Sequence, residues 1–386
     1  MKLPEPSPDA LEQSRGLEQL VLQRIEDNGG WLSFARYMEL ALYVPGLGYY
    51  SGGARKFGPG GDFITAPELT PLFGQALALQ LEQVMQASAG HIIEAGAGTG
   101  VLAADVLRAL ESRGMLPESY AILEVSGELR ARQQQTLADA VPHLLSRVNW
   151  LERSPERFSG VVVANEVLDV MPVHLLVVRP DGIFERGVVR GAGGALGWGE
   201  KPAEAAVLAA AKALELPVPE QGAYVTELNL AARAWVTDWA ARLDLGALLL
   251  VDYGYPRAEY YLPSRSNGTL LCYYRHRAHS DPLLWPGLND ITAFVDFTSV
   301  AEAAFDAGLD VLGYTSQASF LFNCGILSLL AQRGPEESAD YIRAARAVQR
   351  LTTPQEMGEL FKVLAVSRGI REPLIGFSRG DRLHAL

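Results

Sequence analysis

Residues 92–100 read IIEAGAGTG. The apolar pair Ile92-Ile93 runs through an acid, Glu94, into a loop with glycines at 96, 98 and 100. The residues that follow, VLAADVLRALESRG, carry helical apolar spacing, so the whole reads as strand, tight loop and helix. That is the opening unit of a doubly wound α/β sheet. The glycines make G-x-G-x-G. A dinucleotide fingerprint, G-x-G-x-x-G, needs a glycine at 101, where Val101 stands.

Outward from this loop the alternation continues. SYAILEVS reads as a strand ending at Glu124, and SGELRARQQQTLADA as a helix with Ser126 as its N-cap. VNWLE is a short strand, GVVVANEVLD a buried strand with a polar end, and GALLLVDYG another. Upstream, 72–87 is an amphipathic helix, 17–25 is a helix ended by Asn28-Gly29-Gly30, and SFARYMELALY is a helix ended at Pro45. Residues 1 to about 14 read as a mobile arm. The glycine- and aromatic-rich stretch 46–61 and TAPELTPLF after it read as a lid over the cofactor cleft, with Thr65, Pro67 and Glu68 lining the pocket. The expected domains are 1–88 as an N-terminal helical and lid region, 89–171 with 246–386 as the core, and 172–245 as an inserted substrate-side subdomain. That insertion carries a strand pair around Asp181-Gly182, and the chain beyond Gly268 completes the sheet.

Composition narrows the functional classes. The 386 residues are 48% hydrophobic and 20% charged, ample for a core, and the net charge is −12. That balance argues against a nucleic-acid surface, which needs clustered Lys and Arg. Cys272 and Cys324 are the only cysteines, too few for a disulfide framework or a cysteine-rich zinc site. The N-terminus lacks the apolar core of a signal peptide, and no apolar run is long enough to span a membrane. A cytoplasmic protein, monomeric or homodimeric, is expected.

Four expected strand ends carry acids or amides: Glu94, Glu124 with Val125, Asn165-Glu166, and Asp252. Ligands of open α/β sheets bind at that edge, and here it is acidic. A nucleoside triphosphate would need Lys or Arg and a P-loop signature, which is absent. A ligand with no phosphate, a ribose diol and a sulfonium charge suits the edge better, and S-adenosyl-L-methionine is such a ligand. In that reading Gly96, Gly98 and Gly100 let the backbone approach the cofactor, Glu124 accepts from the ribose hydroxyls, and Glu94 lies under the amino-acid end. The alternatives are a plain strand-to-helix turn and an NAD site.

With these residues in view, the chain resembles the class I S-adenosylmethionine-dependent methyltransferases. More narrowly it is similar to the MidA family, whose mitochondrial members assemble respiratory complex I and act as protein arginine methyltransferases. The likeness is carried by YMELALYVPGLGYYS (37–51), GDFITAPELTPLFG (61–74), EAGAGTG (94–100), NEVLDVMPV (165–173), LLVDYGYP (249–256), GTLLCYYRHRAHSDPL (268–283) and GLNDITAFVDFT (287–298). The shorter stretches SQASFL (316–321) and EMGELFKVLAV (356–366) add to it. The resemblance implies a Rossmann-like sheet with N-terminal and inserted elaborations. It also implies transfer of a methyl group to a protein acceptor, an arginine, in a respiratory complex I subunit homologue. A small-molecule methyltransferase and a cofactor-binding assembly factor without turnover stand as alternatives.

An arginine acceptor stays protonated at neutral pH, so carboxylates must orient it and localise its charge. Glu166 and Asp169 stand three apart in NEVLD and would share a face if the chain turns helical there. Asp252 is the third catalytic candidate, and Asn165 joins the cofactor side. Glu227 reads more readily as a helix cap than as a catalytic acid. His276 and His279 suit hydrogen bonding or partner contact, and no metal is expected.

Overall fold

The apolar run of the opening motif forms strand β1, His91–Ala95, in a computed structural model that describes residues 3–51 and 65–386. It belongs to an eight-stranded sheet, whose main path adds β2 Ser119–Leu123, β3 Val148–Leu151, β4 Phe158–Asn165, β5 Leu243–Tyr255, β6 Asp310–Ser316 and β7 Phe361–Arg368. They lie in the order β6-β7-β5-β4-β1-β2-β3. Strands β3, β2, β1, β4 and β5 are mutually parallel, and β7 runs antiparallel to both β5 and β6. Val161, Val162 and Val163 of β4 and 247–251 of β5 are buried, as parallel strands covered on both faces must be. Fully burying each such side chain stabilises by about 1.5–3 kcal/mol.

Helix α1, Pro71–Ala87, starts at the Thr70 hydroxyl, which accepts from Leu72 N at 3.3 Å. It packs on α2, Val101–Ser112, which follows the glycine loop directly. Ser126 caps α3, Gly127–Ala140, as its position suggests. From β1 the chain steps through β2 to β3, then returns to β4 on the other flank of β1. The carboxyl ends of β1 and β4 therefore border the reversal of strand order, where open sheets of this kind bind ligands.

This sheet and its helices form one of two compact units, drawn from 65–168, 233–256 and 297–386. The other holds 3–51, 169–232 and 257–296. In it, strands His174–Arg179 and Gly182–Arg190 form the hairpin expected at Asp181-Gly182, with Leu196–Pro202 and Tyr224–Leu228 at its sides. Leu32–Ser33 pairs with Gly182–Arg190 in the same sheet, and Phe34, Tyr37, Met38, Val173 and Val188 share one apolar core. A small second sheet sets Leu271–Tyr274 between Arg277–His279 and Asp290–Thr292.

The units cut the chain at other places than the sequence boundaries 88, 171 and 245. Residues 65–88 go with the core because α1 buries its apolar face there. Residues 257–296 leave it, including the strand-like LLCYY, which pairs in the small sheet rather than completing the large one. The expected mobile arm is also corrected. Helix Pro8–Asp27 begins well before residue 14, because Ser7 caps it and proline suits a first helical turn. Most of the glycine-rich stretch of the expected lid, 52–61, lies outside the described residues.

Candidate active site

Gly96, Gly98 and Gly100 all adopt left-handed backbone, with φ of +69°, +51° and +83°. A side chain there would be strained whatever the space, which explains the glycine at each alternate position. Space is short too: a Cβ on Gly96 would lie 3.0 Å from Val167 Cγ2, and one on Gly100 3.1 Å from Gln133 Cα. The loop leaves its backbone bare toward whatever occupies the switch point.

Glu94 is buried at the end of β1, and its Oε2 accepts a hydrogen bond from the Tyr120 hydroxyl at 2.7 Å. Burial raises its pKa from 4.5 to about 7, partly offset by that bond. The raised value has a consequence for stability. Between 4.5 and 7 the folded state keeps a proton that the unfolded chain has released. The contribution is therefore complete below 4.5 and is lost as pH rises through 7, by about 3 kcal/mol. Chemical unfolding across pH 4.5–8 is expected to show that decline, and Glu94→Gln to flatten it.

Glu124, at the end of β2, is buried as well. Its Oε1 accepts from Ser126 N at 2.8 Å and its Oε2 from Gln133 Nε2 at 3.0 Å. Burial pushes its pKa up against the hydrogen bonds from Ser126, Gln133 and Val125, which favour the carboxylate. Val125 itself is 80% exposed, so its side chain is turned to solvent and its backbone serves Glu124.

Gln133 was missed in the sequence. It is wholly buried on α3, donates also to Gly98 O at 3.1 Å, and accepts from Trp150 Nε1 at 3.1 Å. One side chain thus ties the acid of β2 to the glycine loop. Gln133→Ala is expected to lower stability by about 1–3 kcal/mol and weaken cofactor binding about tenfold, read by calorimetry.

Thr65, Pro67 and Glu68 lie in and before the short helix Ala66–Leu69, with Pro67 buried. Thr99 Oγ1 donates to Glu68 Oε1 at 3.2 Å, so this segment is fastened to the glycine loop.

At the end of β4, Asn165 Nδ2 donates to Glu166 Oε1 at 3.1 Å, while Asn165 Oδ1 is buried with no hydrogen-bond partner among the described residues. Glu166 holds φ +54°, a left-handed conformation that costs a residue with a Cβ about 1–2 kcal/mol. Asp252 explains how it is held. Its Oδ2 accepts from Val167 N at 3.2 Å and Leu168 N at 2.9 Å, and its Oδ1 from Tyr253 N at 2.9 Å. With Glu166 N bonded to Val251 O at 2.9 Å, the turn is stitched on both sides.

No helix forms after Glu166: residues 166–171 are bends and turns, with Val167 N and Leu168 N held by Asp252 Oδ2. The expectation that Glu166 and Asp169 share a helical face is corrected. Asp169 is buried and belongs to the other unit, where its carbonyl accepts from Ala293 N at 2.9 Å.

Glu227 caps nothing. It sits on strand Tyr224–Leu228, wholly buried, and accepts from Thr269 N, Leu270 N, the Tyr260 hydroxyl and the Thr269 hydroxyl at 2.9–3.1 Å. It holds the 268–270 turn inside its own unit. Among the described residues no group of three or more His, Cys, Asp or Glu is placed to hold a metal ion, and no helix is long and apolar enough to cross a membrane.

The glycine loop and the acids at the ends of β1, β2 and β4 place carboxylates and bare backbone around one switch point. A family profile described as "Putative S-adenosyl-L-methionine-dependent methyltransferase" matches residues 74–315. The chain belongs to this family.

A protein from Burkholderia thailandensis, solved bound to S-adenosyl-homocysteine, is similar along the full length of both chains, with 51% identity and a TM-score of 0.95. The mitochondrial protein arginine methyltransferase NDUFAF7 of Mus musculus is 32% identical, over 87% of this chain and 81% of its own. Its Drosophila melanogaster homolog is 31% identical, over 90% and 86%. The fold is the class I methyltransferase sheet and the cofactor S-adenosyl-L-methionine.

The residues present fit that group: an acid under the loop, an acid at the ribose-side strand end and an orphaned amide oxygen at Asn165. The cytoplasmic expectation is overturned, because these curated relatives are mitochondrial proteins.

Proposed function

We propose that this methyltransferase modifies the guanidinium of an arginine in a protein segment. The observation that carries the reading is Glu166: a strained, braced carboxylate at the end of β4, on the same sheet edge as the glycine loop. Relatives named protein arginine methyltransferases support the acceptor class. When bound, the cofactor supplies an electrophilic methyl carbon on a sulfonium.

The residues of the chain do the rest. Gly96, Gly98 and Gly100 admit the cofactor. Glu124 and Glu94 hold its hydroxyl and amino ends, with Asn165, Val125, Thr65, Pro67 and Glu68 around them. Glu166 accepts hydrogen bonds from the acceptor guanidinium, concentrates its positive charge on the nitrogens not being methylated, and takes up the proton released on transfer. Asp252 is a positioning residue that fixes the Glu166 turn. Asp169, nominated only by a helical face that does not form, is given no part in the transfer. The acceptor protein implied by the family resemblance is a respiratory complex I subunit homologue.

Radiolabelled S-adenosylmethionine tests the acceptor class. Label recovered in acid-precipitated protein from incubated extracts, and absent with Glu166→Gln, is expected. Label confined to the small-molecule fraction would replace the protein acceptor with a small one.

A further inference from the structure

Strand β6 ends at Ser316, whose hydroxyl caps the helix Gln317–Asn323 by accepting from Ser319 N at 3.3 Å. Beside this helix lies a cavity of about 470 Å³, lined by Ser319, Phe322, Asn323, Ser378, Arg379 and Gly380. Both β6 and β5 run antiparallel to β7, so β6 ends on the sheet edge that carries the glycine loop. Four strand spacings separate β6 from β1, which puts the cavity about 20 Å along that edge from the loop and inside the same unit.

One wall of the cavity is a loop fastened on both sides of Arg379. Asn323 Nδ2 donates to Gly376 O at 2.9 Å and to Arg379 O at 2.8 Å, and Thr315 Oγ1 donates to Gly380 O at 2.6 Å. Gly380 takes φ +69°, and a Cβ on it would lie 2.9 Å from Ser319 Oγ, so glycine alone lets the loop come this close to the helix. The backbone is held, yet the exposed Arg379 guanidinium has no hydrogen bond or ion pair among the described residues. The acids around the loop are engaged elsewhere. Asp381 Oδ1 accepts from Tyr314 N at 3.2 Å and Leu383 N at 3.1 Å, and Glu359 is forked to Arg382. In a chain of net charge −12, a fixed loop thus presents an uncompensated cation. Ser319 Oγ accepts from Ser316 Oγ at 3.1 Å and keeps its own proton to donate. Phe322 is 47% exposed at the cavity, and Leu327 and Ile375 are exposed on the helical turns packed against Gln317–Asn323.

We propose that this cavity is a docking site for a protein segment in which an acidic residue stands next to an apolar one. The carboxylate seats on Arg379 and the apolar side chain on Phe322. One guanidinium on a fixed loop matches one carboxylate in a fork, whereas phosphate groups are read by clusters of arginine. Exposed apolar side chains rimmed by polar groups mark protein contacts, and aromatic residues and arginine anchor them. A small free acid would fill the cavity and leave Leu327 and Ile375 uncovered. The inference is independent of the acceptor chemistry, because neither Glu166 nor the glycine loop enters it.

The test presents immobilised hexapeptides, randomised at every position, to the parent protein, Arg379→Gln and Phe322→Ala, all with S-adenosyl-homocysteine bound. The parent protein is expected to enrich Asp or Glu over Asn or Gln by about tenfold, beside an apolar residue, as one charge-assisted pair would give. Arg379→Gln is expected to lose the acid preference and Phe322→Ala the preference for an apolar neighbour. Both variants are expected to keep the parent affinity for S-adenosyl-homocysteine and a Tm within about 2 °C, since both side chains are exposed. No enrichment of acids by the parent protein, or enrichment that survives Arg379→Gln, overturns the proposal. So does binding of 3-phenylpropanoate at the cavity as tightly as the best enriched peptide, which would make it a site for a small acid. A dimer in solution that Arg379→Gln dissociates would seat a second copy of this chain there and overturn it equally.

Discussion

Glu124→Ala is expected to abolish measurable binding of S-adenosyl-L-methionine while leaving the protein folded. The carboxylate sits at the end of β2 with its two oxygens held by Ser126 N and Gln133 Nε2, so its orientation is fixed before any ligand arrives. Each oxygen keeps a further lone pair for a ribose hydroxyl. Losing two charge-assisted hydrogen bonds costs about 3–4 kcal/mol at 1.5–3 each with partial compensation by water, a weakening of at least about a hundredfold. The buried Gln133 amide is left without its partner as well, which adds to the loss. Calorimetric titration of parent and variant measures this. Thermal unfolding checks that the fold survives; the lost carboxylate was itself costly to bury, as its raised pKa shows. Retention of parent affinity by the variant would remove Glu124 from the cofactor site.

The second large effect is expected at Glu166, and there it separates chemistry from binding. Glu166→Gln keeps shape and the hydrogen bond from Asn165 but removes the charge that holds a guanidinium and takes its proton. Turnover is expected to fall by about 10²–10⁴-fold, the range of a lost general base, with cofactor affinity within about twofold of the parent. Glu166→Gly goes further. At φ +54° glycine is unstrained, so this variant is expected to be as stable as the parent or up to about 1 kcal/mol more so, and inactive. A loss of turnover accompanied by lost cofactor affinity would make Glu166 part of the cofactor site instead.

Much of this architecture was legible in the sequence because it rests on local signals. The glycine motif, the valine run of β4 and the leucine run of β5 announce buried parallel strands. Ser126 starts its helix where a cap belongs. What failed did so where distant groups decide. The turn after Glu166 reads as helical, yet Asp252, more than eighty residues away, accepts the N–H groups of Val167 and Leu168. Glu227 looks like a cap because ELNLAARAW carries helical spacing, but the helix begins only at Leu230, and the short alternation of YVTEL has already placed Glu227 in a strand. Gln133 lies among three consecutive glutamines, and nothing local distinguishes the one buried beneath the glycine loop. The boundary at 171 falls within three residues of a unit boundary, whereas those at 88 and 245 differ because 65–88 buries its apolar face in the core and 233–245 goes with it, and the region after 256 pairs outside the large sheet in Leu271–Tyr274.

The acceptor chemistry is tested most directly by incubating the parent protein and Glu166→Gln with methyl-deuterated S-adenosylmethionine and acid-precipitated extract proteins, then mapping deuterated methyl groups by tandem mass spectrometry. Label on arginine side chains with the parent protein and none with the variant is the result expected. Label on lysine, on carboxylates, or on arginine to the same extent with both proteins would contradict it.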